Sequence, residues 1–318
     1  MIVLRRLASI IAWGYISVIV VWFILWLFVR DEQLWWLATI NRGAVLLFIP
    51  APIAVLLAFF SAQRSARIAA LAPLVLFLGL NWSYVIPQTE PQLDGMSLRV
   101  MTYNVLYSNT DYDAVANVIR STQPDLLALQ EVQPEMFEAL VERLQVDYPY
   151  HLLGHWNMYG TTAAFSRYPL RDAYSLSLRF DRPATVLKVD VDGRPVTLIS
   201  AHLLAYDSVR QQGRQAQIII DEISELDEPV VLGCDCNSRE TAASYRMLAQ
   251  VLTNAARAVG WVLAPPSIAG AQRDVSMWHI DYVFYRGALK AVEVDSILDS
   301  GGSDHRAVVA ILALETGN

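Results

Sequence analysis

Charge is scarce in this sequence. Only 17% of its 318 residues are Asp, Glu, Lys or Arg, while 54% are hydrophobic; a soluble domain usually carries about 25% charge. The deficit excludes an ordinary soluble protein throughout, and it is local. Residues 1–87 hold no Lys, two acids (Asp31 and Glu32) and six Arg (Arg5, Arg6, Arg30, Arg42, Arg64 and Arg67). Residues 88–318 hold 18 basic and 29 acidic residues, a net charge of −11, in a length that suffices for one sizeable domain with a full core. Cysteine is scarce too, with only Cys234 and Cys236. That excludes a disulfide framework, and a lone C-x-C lacks the second pair of a structural zinc site. Alternate residues of an extended strand share a face but sit far apart for a bridge, so both are expected to act as small packing residues. The domain also lacks the basic footprint that drives tight non-specific nucleic-acid binding. This argues against a processive nucleic-acid binder and leaves room for a nuclease that binds weakly through its metal. There is no repeat of fixed period and no low-complexity tract.

What is present is apolar and long. Residues 7–29 run without a charge, enough at 1.5 Å per residue to cross a hydrocarbon core of about 30 Å. A second run covers 44–60, with Pro50 and Pro52 expected to kink it, and a third covers 68–86. The first exceeds the 7–15 apolar residues of a cleaved signal peptide and no A-x-A site directly follows it, so it reads as an uncleaved anchor. Three transmembrane helices are thus expected within residues 1–87, with a polar linker at 88–97 and a catalytic domain at 98–318. Arg5 and Arg6 precede the first span, and Arg64 and Arg67 lie between the second and third. The positive-inside rule then places these flanks in the cytoplasm and the C-terminal domain outside it, although Arg30 and Arg42 in the first loop pull the other way. The expectation is a multi-pass cell-membrane protein with an extracytoplasmic domain.

From Leu98 the pattern changes to short apolar strands separated by helices. Strands are expected at LRVMTYNV, PDLLALQEV, Thr162–Ser166, Thr185–Val191, Pro195–His202, Pro229–Gly233, Asp281–Tyr285 and Ala307–Leu314. Helices are expected at Asp113–Ser121, capped by Asp111 or Asp113, at Glu135–Leu144 and at about 207–225. Many strands with interspersed helices suggest an α/β sandwich with helices outside two packed sheets. Polar residues recur where these strands stop. Asn104, Glu131 and His202 each end one; Asp235 and Asn237 follow VVLG; Asp281 opens IDYVFY; Asp304 and His305 precede the last strand. Gathered at one rim, such a carboxylate, amide and imidazole cluster suits a hard divalent cation and phosphate chemistry. Singly, each has a blander reading as a solvated carboxylate, a satisfied histidine or a turn former; their joint occurrence in this order is the signal.

These segments, MTYNV (101–105), PDLLALQEV (124–132), FSRYPL (165–170), SAHL (200–203), GCDCNS (233–238), HIDYVFY (279–285) and GGSDHRAVVA (301–310), resemble the endonuclease/exonuclease/phosphatase (DNase I-like) superfamily over about residues 97–315. The order of apolar spans and domain is similar to a bacterial membrane-anchored subgroup. The resemblance implies a four-layer α/β/β/α sandwich with its site at one edge. It implies Glu131 as the principal Mg²⁺ (or Mn²⁺) ligand, Asn104 helping to hold metal or phosphate, and Asp304 ligating or orienting water. It implies Asp235 positioning and deprotonating the attacking water, Asn237 orienting that water or donating to a phosphoryl oxygen, and His202 and His305 on the phosphate, with Asp281 fixing the tautomer of His305. Whether Asp235 or His305 is the general base stays open. There are departures. Between Pro149 and Arg167 there is no acid to orient His202. The segment HLLGHWNMYGTTAAF, with Asn157 and Tyr159, is either a substrate-facing loop or a packed hairpin. Arg167 is a candidate phosphate contact or a structural salt bridge, and His279 a support behind the site. The expected function is a membrane-anchored metal-dependent phosphoester hydrolase acting on a phospholipid or a small phosphodiester or phosphomonoester. The alternatives are an extracytoplasmic nuclease and a catalytically silent scaffold. No protein partner is indicated.

Overall fold

A computed structural model of the chain describes residues 2–29, 31, 34–61, 63–85, 96–155, 161–179, 182–205, 209–260 and 279–315. Helix α1 (Ile2–Phe28) is apolar on every side and about 40 Å long. It is followed by α2 (Trp35–Arg42), a 3-10 turn at Ala44–Phe48, α3 (Ala51–Phe60), α4 (Arg64–Ala69) and α5 (Ala72–Val85). Two helical stretches, Val3–Phe28 and Arg64–Trp82, are long and apolar enough to cross a membrane. The expected second span, 44–60, is not one straight helix: α2 and Ala44–Phe60 are bent 70° apart and count as a span only if taken together. Gly43 ends α2, and Pro50 and Pro52, lacking N–H donors, restart the chain as α3. Large apolar side chains such as Ile10, Val18, Ile24, Ile53, Phe59 and Val75 point away from the bundle.

The basic flanks meet at one end of this bundle. Ser9 Oγ lies 2.6 Å from Ser61 Oγ and Trp13 Nε1 donates to Gln63 Oε1, which sets the Arg64–Arg67 turn beside the N-terminal half of α1. About 20 Å further along α1, Trp26 Nε1 donates to Thr241 O, and the Arg246 guanidinium stacks 5.0 Å over the Trp26 ring. Asp31, buried, accepts from Asn41 Nδ2 and from the backbone N–H of Ala243. Arg239 donates to Arg42 O and Arg257 to Leu80 O. The apolar helices are therefore hydrogen-bonded to the domain through Arg239, Thr241 and Ala243, which follow Asp235, and through Arg257.

The domain begins with β1 (Ser97–Asn104), α6 (Tyr112–Thr122), β2 (Leu126–Val132), α7 (Pro134–Leu144), β3 (Tyr150–Leu153) and β4 (Thr161–Ser166). It continues with β5 (Leu170–Ser177), β6 (Pro183–Val191), β7 (Arg194–His202), α8 (Val209–Ser224), β8 (Val230–Asp235) and α9 (Ala243–Leu248). It closes with β9 (Thr253–Asn254), α10 (Ala255–Val259), β10 (Asp281–Arg286), β11 (Leu289–Ser296) and β12 (Val308–Leu314). Two six-stranded mixed sheets form, in the orders β11-β12-β1-β2-β4-β3 and β5-β6-β7-β8-β10-β9. Strand alternation divides the side chains. Leu98, Val100, Leu126, Ala128, Leu198 and Val231 fill the space between the sheets. Met101, Tyr103, Leu127 and Leu129 face α6 and α7, and Ile199, Leu232 and Phe284 face α8 and α9. The expected helices and central strands are all present within a few residues. Strands β5, β9 and β11 are additions to that expectation; β3 is one arm of a hairpin, one of the two readings of His151–Phe165. Most of the 88–97 linker lies outside the described residues.

The sheets approach closely beside the strand ends. A Cβ on Gly233 would lie 2.6 Å from Ala128 Cβ and 3.1 Å from Thr102 Cβ, so only glycine fits two residues before Asp235. Cys234 and Cys236 correct an expectation. They are bridged, with Cα atoms 5.2 Å apart, because β8 ends at Asp235 and the chain turns there rather than remaining extended; 5.2 Å lies within disulfide reach.

Candidate active site

Register brings the polar strand ends together. β7 runs parallel to β8 with His202 opposite Asp235, and β10 runs antiparallel to β8 with Asp281 opposite Asp235. Three titratable side chains thus lie in one row across three neighbouring strands. Each has the parity of the residues that fill the space between sheets, so each points inward. Asn104, at the end of β1 in the other sheet, has the same inward parity as Val100 and Thr102.

Glu131 reaches this cleft by breaking alternation. By parity with Leu127 and Leu129 its side chain would point toward the helices. The pairing of β2 with β4 shifts between Leu129 and Val132, and Glu131 has φ 60°. A bulge with a left-handed residue re-aims the side chain. Its Oε1 accepts from Asn104 Nδ2 at 3.1 Å and its Oε2 from the Tyr107 N–H at 3.0 Å.

Asn104 joins the two sheets. Its Nδ2 also donates to Asp235 Oδ2 at 2.8 Å, while its Oδ1 accepts from the Leu106 N–H. Its amide is therefore a strut between two carboxylates of the cluster. The ligand atoms of Glu131, His202 and Asp235 lie within 4.8 Å of one another, as do those of Asp235, Asp281 and His305. The Asp235 carboxyl is pushed up, first by burial and then by the charge of Asp281, against the pull of His305, His202 and the Asn104 hydrogen bond. An enclosed carboxylate whose charge is disfavoured, with two others beside it, is a donor set that a divalent cation would relieve. Asp304 is exposed beside His305 and belongs to neither cluster.

His305 Nδ1 is 2.9 Å from Asp281 Oδ2, and its Nε2 is 4.0 Å from Asp235 Oδ2. Burial alone would lower its pKa, but the carboxylates of Asp281 and Asp235 overcome it and hold the imidazolium up to about 10. Ser303 locks the approach: its Oγ donates to Asn104 O and accepts from the His305 N–H. His202 is the opposite case. Burial pushes it down to about 4, and Arg182 and His305 add to this against the pull of Asp235.

Arg182 is the orienter that the sequence leaves unassigned. Its Nη1 donates to His202 Nδ1 at 3.1 Å. A guanidinium has no acceptor, so the ring proton sits on Nε2, toward Asp235 Oδ2 (3.5 Å) and Glu131 Oε1 (3.8 Å). Asn237, at φ 46°, donates its Nδ2 to Leu203 O and places that nitrogen 3.0 Å from His202 Nε2. Losing the bond to Arg182 should free the His202 ring. Arg182→Ala is expected to lower kcat roughly 10- to 100-fold, the equivalent of one charge-assisted hydrogen bond, with metal affinity unchanged and partial recovery in Arg182→Lys. An unaltered kcat in the alanine variant would rule the role out.

Arg167 is not brought to the site. Its Nε donates to Pro124 O, and its guanidinium lies 5.2 Å over the Tyr148 ring. Both belong to the rim at the start of β2, opposite the end that carries Glu131. Asn157 and Tyr159 lie outside the described residues. His279 sits behind the site, its backbone carbonyl accepting from Tyr282 OH.

The sequence profile of the Endonuclease/Exonuclease/phosphatase family matches residues 101–305. No curated protein matches the chain. Among solved structures, an endonuclease/exonuclease/phosphatase from Bacteroides vulgatus is 18% identical, with 69% of this chain and 100% of that chain covered and a TM-score of 0.58. D. rerio TDP2 complexed with single strand DNA product is 18% identical, with 68% and 98% covered and a TM-score of 0.59. The mannosyl-6-phosphatase of Bacteroides thetaiotaomicron is 16% identical, with 68% and 99% covered and a TM-score of 0.59. At these identities the likeness is one of fold.

Proposed function

The chain belongs to the endonuclease/exonuclease/phosphatase family, a family of phosphoester hydrolases, and from that premise we propose a membrane-anchored hydrolase that uses Mg²⁺ or Mn²⁺ on a lipid or small phosphoester. The observation that carries it is the inward convergence of Glu131, His202, Asp235, Asp281 and His305 at one rim of the sandwich. Glu131 would hold the cation, with Asp235 facing it across the cleft. When bound, the cation supplies neutralisation of phosphoryl charge and activation of water. The side chains do the rest. Asn104 fixes the spacing of the two carboxylates. His202 Nε2–H and Asn237 Nδ2–H donate to a phosphoryl oxygen. Asp235 accepts the proton of the attacking water. His305, kept charged by Asp281, donates to the phosphate or the leaving oxygen.

Anchoring is supported by the two long apolar helices and by the apolar side chains facing outward from them. Arg5, Arg6, Arg64 and Arg67 fall at the bundle end away from the domain, which favours a cytoplasmic N-terminus and an extracytoplasmic site. The nuclease reading draws on one observation, the single strand DNA product bound to the structurally similar D. rerio TDP2; the net charge of −11 on residues 88–318 opposes it. Full-length protein in detergent should be given bis-p-nitrophenyl phosphate, plasmid DNA and phospholipid vesicles, with Mg²⁺ or with chelator. Chelator-sensitive release from the soluble ester and from vesicles is expected. Nicking of DNA with a steep salt dependence and no release from vesicles would transfer the assignment to a nuclease.

A further inference from the structure

A cavity of about 340 Å³ lies between the apolar helices and the domain, apart from the catalytic cluster. That is within the range of about 300–1,000 Å³ typical of ligand pockets. One wall is apolar and aromatic and comes from the helices: Trp22 and Trp26 of α1, Phe48, and Phe77 and Leu80 of α5. The other wall is polar and comes from the domain: Arg239, Glu240, Thr241, Arg257 and His279. Arg257 pairs with Glu240 at 3.2 Å, and Arg239 adds a second guanidinium. Apolar cavities stay dry and take apolar guests, and tryptophan suits a boundary between hydrocarbon and water. Helices that carry exposed Ile24, Val75 and Leu78 are surrounded by hydrocarbon chains if they span a membrane. The available guest with one apolar and one anionic end is a phospholipid.

We propose that this cavity is a binding site for one membrane phospholipid, with its alkyl chain against Trp22, Phe48 and Phe77 and its phosphate toward Arg239 and Arg257. The site rests on the membrane reading above but not on the hydrolase reading. It has a direct covalent route to the catalytic cluster. Arg239 and Thr241 follow Asn237 in one loop, and Tyr282, which follows Asp281 and also lines the cavity, shares its hydroxyl proton between His279 O and Ser238 O. A bound lipid therefore braces the segments that carry Asn237 and Asp281.

Gly79 lines the cavity on α5, and a Cβ there meets nothing within 4 Å, so Gly79→Trp starts a bulky side chain from open space at the cavity wall. Full-length protein purified in mild detergent with added phosphatidylglycerol is examined by native mass spectrometry. Wild type is expected to retain one phosphatidylglycerol per chain, and Gly79→Trp at least fivefold less. Phe77→Trp is a milder filling, to be used if the first variant aggregates, and is expected to give an intermediate loss. Equal retention by wild type and a folded variant overturns the proposal, as does a wild type that retains detergent and no phosphatidylglycerol. Hydrolysis of bis-p-nitrophenyl phosphate is followed in parallel. If wild type fails to cleave it, the hydrolase reading falls while the lipid count still decides the cavity.

Discussion

Glu131→Gln should abolish metal-dependent hydrolysis, lowering the rate by about 10³-fold, while leaving the protein folded. The substitution keeps the size of the side chain, and the amide oxygen can still accept one of the two hydrogen bonds. What it removes is one formal charge from a cluster whose other carboxylate, Asp235, is already pushed up by burial. A cation that neutralises phosphoryl charge contributes several kcal/mol to the transition state, and each 1.36 kcal/mol is about tenfold in rate. The same charge is a burden without metal, because like carboxylates repel across the cleft. The variant is therefore expected to melt at the same temperature as metal-free wild type or above it. It should also gain little from added Mn²⁺, whereas wild type is stabilised by binding. Calorimetric titration with Mn²⁺ and melting curves with and without it separate this from simple misfolding. A variant that keeps wild-type Mn²⁺ affinity would show that Glu131 is not the anchor of the cation.

Most of the cluster is legible in strand ends, and the exceptions have geometric causes. Asn104, His202 and Asp235 are visible because a polar residue closes an apolar run, and β1, β7 and β8 all deliver their last residue to the same rim. Asp281 opens its strand, as it must, because β10 is antiparallel to β8. Arg167 also follows a strand, but β4 is antiparallel to β2, with Ser166 opposite Leu126, so its end falls on the far rim. A strand-end argument needs the strand's direction, and direction is a property of the sheet. Glu131 lies in the cleft although simple alternation would point it away; the bulge that turns it inward leaves no trace in the pattern. Arg182 sits in a loop before Pro183 with no periodic context, and only the folded chain sets it on His202.

The fold shows the same division. The helices and central strands are legible because each buries a continuous or helically spaced apolar set. The strands β3, β5, β9 and β11 are the four sheet edges. An edge strand has one unpaired side and partly solvated faces. Two of them accordingly mix polar and apolar residues rather than burying a continuous run: β5 carries Arg171 and Asp172, and β11 carries Lys290, Glu293 and Asp295. The hydrogen bonds from the domain to α1, α2 and α5 join residues about 180 to 220 apart in sequence, a separation no local pattern reports.

Asp281→Asn should cost about 10²- to 10⁴-fold in rate, the usual worth of a positioned proton donor or acceptor, and should also move the pH profile. His305 Nδ1 lies 2.9 Å from Asp281 Oδ2. Burial by itself lowers the pKa of that imidazole; Asp281, then Asp235, raises it to about 10. A donor must keep its proton, so activity that depends on His305 is present below its pKa and lost as pH rises through it. In wild type that basic limb lies well above neutrality. The asparagine keeps an oxygen for Nδ1–H but removes the charge, so burial gains ground and the limb shifts to lower pH. At about pH 6 the variant should therefore recover part of the rate that it lacks at about pH 8. His305→Ala should lose a comparable factor and show no such limb. A basic limb that stays in place in Asp281→Asn would mean that the proton is donated by another group, and His202 is not available for that role, since burial keeps it neutral down to about 4.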